Sequence, residues 1–436
     1  MTRGPKWLVG LGLFAGLLAL LWGVVASLIP SDEELARRTA TALESLLGVP
    51  VTVGTLHWRL LPLPALVLEN VVTAQPQPIT LQKLRLEPDL LALWQGRLKI
   101  DHAELVGAVV PQLSLGKLGT QAEAQADAPM PGGLLADALP LARFVFRDVR
   151  WISRNGIAVS YDGEVDFDPG WRPRQAQLRR PDFKPVMDLT LSRKGQSGQD
   201  KEDRWDLRIN AGGGTAHGEL QLQTSAKGQL QLQGKLQPRE IEVAGALAAF
   251  NRHSVVAGKV SGSTVLSAQG SNVSELAQSL HSQTAFTMGR ATLLRFDLDK
   301  TVRSAGKEYA GQTTLDSVTG QLDTQNTAQG MVLSYSKLKA SSGALSISGK
   351  ARLANRQIEA EFAVDLVDGL VGVPLQVSGP LDKVSFSVPR GVLMGAAVGT
   401  AVLPGVGTAI GARVGATLGR IFSPQPDRKS STAPDR

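Results

Sequence analysis

Apolar residues recurring at every second position constrain this chain more than any other feature. Leucine alternates with glutamine across Gly218 to Gln223 and again, almost identically, across Gly228 to Gln233. Successive side chains of a strand point to opposite faces, so this pattern places the leucines on one side of a sheet and the glutamines on the other. The same period runs through Val51 to Trp58, Ala65 to Val72, Thr80 to Leu86, Ile358 to Leu366 and Val384 to Val388. Arg97 to Ala103, Gly107 to Leu115, Arg143 to Ile152 and Ile157 to Phe167 also read as strands. Such runs predict roughly 20 strands in all. They are interrupted by short helices near Pro88–Trp94, Ile241–Asn251, Ser274–Ser282 and Asp299–Ala305.

Composition suits many short strands joined by turns. Of the 436 residues, 46 are Gly and 24 Pro, and charged residues make up only 19 %, against roughly 25 % in an average soluble domain. The hydrophobic fraction of 43 % is enough for a sizeable core. The chain has no cysteine. That excludes disulfide scaffolds, thiolate metal sites, cysteine nucleophiles and a lipoprotein's acylated cysteine. A net charge of +7 comes from scattered basic residues without interleaved aromatics. This predicts a protein near anionic lipid headgroups and no nucleic-acid partner.

The amino-terminal run Trp7 to Ile29 is uncharged and holds eight leucines. As a helix it would extend about 34 Å, enough to cross about 30 Å of hydrocarbon. Trp7, Leu11, Phe14, Leu18 and Trp22 are its anchoring residues. Arg3 and Lys6 precede the run and Asp32, Glu33 and Glu34 follow it, so the amino end is expected in the cytoplasm and the bulk of the chain outside. A cleavable signal peptide is the competing reading, with a shorter apolar region than this one. After the run, Ser31 and Glu34 form a capping box for a helix with Leu35, Thr39, Ala42, Leu43, Leu46 and Leu47 as its apolar stripe, stopped by Gly48 and Pro50. Residues 117–133 lack periodicity and read as a linker. Arg193 to Arg204 reads as a charged loop.

At the other end, Gly391, Gly395 and Gly399, then Gly407, Gly411, Gly415 and Gly419, stand four apart in two runs split by Pro404 and Gly405. Glycine at every fourth position clears one helix face for close approach of another backbone, which predicts a glycine-zipper helical hairpin. Each arm would reach about 20 Å, too short to span a bilayer. The hairpin either dips into one leaflet or caps the β structure.

Catalytic signatures are missing from the sequence. His57, His102, His217, His253 and His281 are isolated, and there is no nucleophile elbow, Walker loop or dinucleotide fingerprint. Gly212 to Gly214 reads as a turn. The chain is expected to be no enzyme. Its apolar sheet face either packs against a second layer or lines a groove open to an apolar ligand.

The residues also carry a family resemblance. An amino-terminal membrane helix, a short amphipathic helix, Leu47 to Val53 leading into Trp58, Leu61 to Pro64 and Leu66 to Val71 are similar to the opening of the AsmA family of Gram-negative envelope proteins. Gly289 to Leu298, Thr314 to Leu322 and Val373 to Pro380 resemble that family's terminal region, and residues 117–200 depart most. The resemblance implies an inner-membrane anchor, a periplasmic body of repeated β units forming an elongated groove, a role in phospholipid transfer or outer-membrane maintenance, and no cofactor. About 20 strands would give a groove of about 100 Å.

The expected fold is therefore mainly β: a transmembrane helix (1–30), an AsmA-like helix and β unit (31–116), a linker (117–133), a central β-groove region (134–282), an AsmA-like β region (283–390), the glycine-zipper hairpin (391–420) and a disordered tail (421–436). The apolar lining expected to meet lipid is Leu220, Leu222, Leu230, Leu232, Ile358, Phe362, Val364, Leu366, Val384 and Phe386. Expected partners are phospholipid or another membrane lipid, the inner membrane and envelope proteins. The alternative function is a membrane-tethered periplasmic scaffold acting through protein partners.

Overall fold

A computed structural model describes residues 32–59, 64–89, 99–115, 141–168, 172–194, 202–225, 228–271, 273–304, 308–327, 330–343, 345–366, 373–381 and 383–387. The predicted anchor, the capping serine Ser31, the helix at Pro88–Trp94, the 117–133 linker and the glycine-zipper segment lie wholly or largely outside them. The 21 described strands belong to one sheet. Its contacts divide the chain into two units, Met1–Pro181 and Asp182–Arg436.

The first unit opens with helix α1 (Asp32–Leu47). It ends at Gly48, whose φ of +70° is a left-handed value that glycine adopts without penalty and whose amide donates to the Glu44 carbonyl at 2.9 Å. Ala36, Leu43 and Leu47 on the helix pack against β1 (Val51–Arg59) and β2 (Ala65–Thr73), closing a core around Val51, Leu56, Leu68 and Val71. Strands β2, β3 (Thr80–Pro88) and β4 (Ile100–Pro111) follow as antiparallel neighbours. β5 (Leu141–Ile152) then lies parallel to β4, and β6 (Ala158–Asp168) and β7 (Arg172–Arg179) return antiparallel. A parallel pair needs a crossover, which is why a long connection separates β4 from β5.

Three local expectations are corrected. The strands expected at Arg97–Ala103 and Gly107–Leu115 are one strand, β4, and its successor Gln112–Leu115 is a short helix, α2. Gly107 permits the continuity: its φ is +66° and a side chain there would strike Gln82. The charged loop expected over Arg193–Arg204 is shorter, because Arg193 ends β8 (Asp188–Arg193) and Glu202 begins β9 (Glu202–Ala211). Two of those charges are largely buried: Arg193 and Asp203 side chains are 12 % and 15 % exposed, 3.8 Å apart, and the guanidinium lies over the Trp205 ring. β7 was not anticipated, since Arg and Gln dominate it.

The second unit is an antiparallel succession from β8 onward. β10 (Gly214–Thr224) and β11 (Leu230–Arg239) are the two near-duplicate segments, and they pair with each other so that Leu222 faces Leu232. The helix expected at Ile241–Asn251 is α3 (Val243–Ala248), capped by the Glu242 carboxylate, which accepts from the amides of Ala244 and Gly245. The two-residue strand β12 (Ile241–Glu242) immediately precedes α3, and β13 (Val256–Gly270), helix α4 (Val273–Ser279), β14 (His281–Leu293) and helix α5 (Leu298–Arg303) follow. After β15 (Thr313–Leu315) come β16 (Ser317–Thr327), β17 (Gly330–Ser342), β18 (Leu345–Ala354), β19 (Gln357–Leu366), β20 (Val373–Pro380) and β21 (Ser385–Ser387). The division expected after residue 282 falls within β14.

Leu56 is 1 % exposed at the centre of the α1 core. Leu56→Ala is expected to destabilise the first unit by about 2–5 kcal/mol, read as a lower urea midpoint of its circular-dichroism transition.

Candidate functional site

Strand register collects the apolar positions of the second unit into rows that run across the strands. Trp205, Leu220, Gly234, Leu266, Ser282, Thr324, Leu333, Leu353, Ile358 and Gly379 lie opposite one another in sequence from β9 to β20. A neighbouring row holds Leu207, Gly218, Leu236, Thr264, Thr284, Leu322, Tyr335, Ala351, Ala360 and Val377. Neither row carries a charge between β9 and β20, and on β8 the first is continued by Arg193, opposite Trp205. Bulges on β14, between Met288 and Ala291, and on β17, between Tyr335 and Leu338, lie beyond these rows, and the extra residue at each keeps the flanking side chains on one face.

Glycines under large neighbours smooth this surface. A Cβ at Gly320 would come within 2.9 Å of the Phe286 ring, and one at Gly234 within 2.5 Å of both Leu220 and Leu266. The larger side chains thus lie over the bare backbone of the adjacent strand.

Helices cover the two ends of the strands on this face. At one end Leu298 of α5 and Val243 of α3 pack with Met288, Ala291, Leu315, Ile347 and Val364. At the other, α4 passes over Gly270 and its Ala277 carbonyl accepts from the Asn326 amide at 2.8 Å. Between them, Leu220, Leu222, Leu230, Leu232, Leu266, Leu322 and Leu333 remain half-buried, and none belongs to a packed core cluster.

The ten predicted lining residues divide accordingly. Leu220, Leu222, Leu230 and Leu232 meet on one hairpin in the uncovered stretch. Val364 is 2 % exposed, within the core beneath α5. Ile358, Phe362, Val384 and Phe386 pack against a third cluster of Ala360, Leu375 and Val377, where Phe386 also lies 4.7 Å from the Phe296 ring and 4.6 Å from Tyr309. Leu366 is paired opposite Leu345. Sequence reading missed Trp205, Leu266, Leu322, Leu333 and Leu353. On β13, β16 and β18, Ser, Thr or Gly is interspersed on the apolar face, which weakens the alternation, and Trp205 directly follows the charged run that ends at Arg204.

The reverse face is polar. Lys194 hydrogen-bonds Asp206 at 2.8 Å and Glu219 at 2.6 Å, and those two carboxylates hold its ammonium above its ordinary value.

In the first unit, Leu68, Leu84, Leu105, Phe146 and Gly163 form a comparable row. Helix α1 covers its β1–β3 end, and Leu105, Phe144 and Phe146 are half-buried. The opposite face bears an open depression of about 510 Å³ lined by residues including Arg85, Glu87, Glu104, Arg143, Arg147 and Glu164. Its charges pair along and across strands, as in Arg85 with Glu87 at 2.8 Å within β3 and Arg147 with Glu104 at 3.7 Å between β5 and β4, leaving an electrically balanced surface. Among the described residues, no group of three or more His, Asp or Glu side chains is placed to hold a metal ion.

A family model described as a glycine zipper of the Omp type matches residues 390–429. It bears out the glycine-zipper reading of Gly391 to Gly419. No curated protein and no solved structure matches the chain. No helix among the described residues is long and apolar enough to cross a membrane.

Because the chain lacks cysteine, single cysteines can report on each face without background. A polarity-sensitive thiol dye on Leu266→Cys, in the uncovered rows, is expected to emit at shorter wavelength than on Val265→Cys, whose side chain is 50 % exposed on the polar face. Coincident spectra would show that the two faces are equally wet.

Proposed function

We propose that this chain is a non-enzymatic envelope protein of the AsmA type that holds phospholipid acyl chains on the apolar face of its sheet. In this reading residues 7–29 tether it to the inner membrane, its bulk lies in the periplasm, and it conducts phospholipid between inner and outer membrane in support of outer-membrane assembly and lipid homeostasis. One observation carries the reading: the hairpin leucines Leu220, Leu222, Leu230 and Leu232 and their neighbours across β13–β17 form an uncharged, half-buried surface that the described helices do not cover. Each acyl methylene laid against such a surface contributes about 0.8 kcal/mol when fully removed from water, so tails are held without a charged recognition site. The glycine zipper at residues 390–429 supports an association with the envelope.

A second reading, a membrane-tethered periplasmic scaffold working through protein partners, is favoured by the β18–β21 end. There Ala360, Val364, Leu375 and Val377 are buried by the chain's own side chains. Lipid content separates the two. Mass spectrometry of the full-length protein extracted in mild detergent is expected to find co-purified phospholipid. Leu222→Asp should reduce it at least about tenfold, because it sets a second carboxylate beside Asp203 on the face that the acyl chain occupies, while Val265→Asp on the polar face leaves it unchanged. Lipid-free wild-type protein would leave only the scaffold.

A further inference from the structure

The uncovered stretch of the second unit is interrupted by hydroxyl groups at one place. Thr264 and Thr284 face each other across β13 and β14, with their hydroxyls 2.9 Å apart. Ser282 and Thr324 lie opposite each other in the adjoining row, and Tyr335 stands two strands from Thr284 in the same row, beyond Leu322. These five side chains are neighbours on β13, β14, β16 and β17, with Leu236, Leu266, Leu322 and Leu333 around them.

Their hydrogen-bonding capacity is largely unspent. One O–H is used between the two threonines. Ser282, Thr324 and Tyr335 make no side-chain hydrogen bond among the described residues. Burial pushes the Tyr335 phenol above its usual value, so it stays a protonated donor. Threonine is a good strand former, but valine has the same shape and propensity. Set among leucines, a hydroxyl carries a desolvation cost that valine does not, unless an acceptor arrives to meet it.

We propose that Thr264, Ser282, Thr284, Thr324 and Tyr335 form a polar station that donates to the acyl ester carbonyls of a diacyl phospholipid while its tails lie along the flanking leucines. The complementarity is specific in chemistry. An ester carbonyl only accepts hydrogen bonds and is uncharged, matching neutral donors in rows that hold no cation between β9 and β20. A phosphate brought there would be a charge without a counterion. The station therefore recognises the glycerol–ester junction, with the phosphate group at the open side of the sheet.

This inference rests on the lipid-holding reading, and a competition separates their failures. The full-length protein is incubated with vesicles of an equimolar mixture of diester phosphatidylethanolamine and its dialkyl ether analogue with matched chains, and bound lipid is quantified by mass spectrometry. The wild type is expected to enrich the diester about fivefold, the worth of about one additional carbonyl hydrogen bond. The variant T264V/S282A/T284V/T324V should bind both equally, with Y335F intermediate, and circular dichroism should show the strand content retained. Equal binding of both lipids by the wild type overturns the station and leaves the lipid-holding reading intact. An undiminished preference in the variant places recognition elsewhere and overturns it too. Binding of neither lipid overturns both. The wild-type ratio decides without any variant having to fold.

Discussion

Everything in this molecule depends on the cross-strand hydrogen-bonded ladder. A pleated strand must send alternate side chains to opposite faces, and each strand takes its facing from the strand it pairs with. Once Leu222 stands opposite Leu232 and Leu232 opposite Ala268, the sidedness of β10 is passed to β11 and β13 and onward. A slip of one residue would turn the leucines to water and the glutamines inward. The bulges show how closely this is held: at β17 the two residues between Tyr335 and Leu338 are absorbed so that both still face inward.

A sheet has one apolar face to bury, and the described helices are short. α3, α4 and α5 span Val243–Ala248, Val273–Ser279 and Leu298–Arg303, and each covers only the end of a few strands. In the first unit the longer α1 closes a core against β1–β3. The result in the second unit is two regimes on one face. Beneath α5 and around Leu375 the side chains are close-packed and buried, as in an ordinary interior. Between the helices Leu220, Leu222, Leu230, Leu232, Leu266, Leu322 and Leu333 are half-buried, while Leu236, Thr264 and Ala268 among them are buried.

Legibility in the sequence followed signal strength. The hairpin leucines were readable because Leu220, Leu222, Leu230 and Leu232 alternate without interruption with glutamine. β13 and β14 were harder as a lining, because Gly262, Thr264, Thr284 and Ser282 occupy inward positions where an apolar residue would have made the face obvious. The largely buried ion pair of Arg193 and Asp203 was read as part of a charged loop, since charge in a sequence does not reveal whether its partner lies across a strand. β4 was divided in two because Gly107 resembles a strand end until its left-handed backbone is seen. The glycine zipper needed no structure, since its spacing alone identifies it and the family comparison agrees.

By itself the sequence determined that the chain is mainly β, where most strands begin and end, and which side of each strand is apolar, because a period of two is a local property that survives without tertiary information. Only the tertiary structure decided which apolar positions are covered. Val364 and Leu222 occupy the same kind of inward position in the same kind of pattern, yet one is sealed in a core with Leu298 and the other lies between helices. Coverage depends on segments distant in the chain arriving over one part of the sheet and not another, and no alternation within a strand records that.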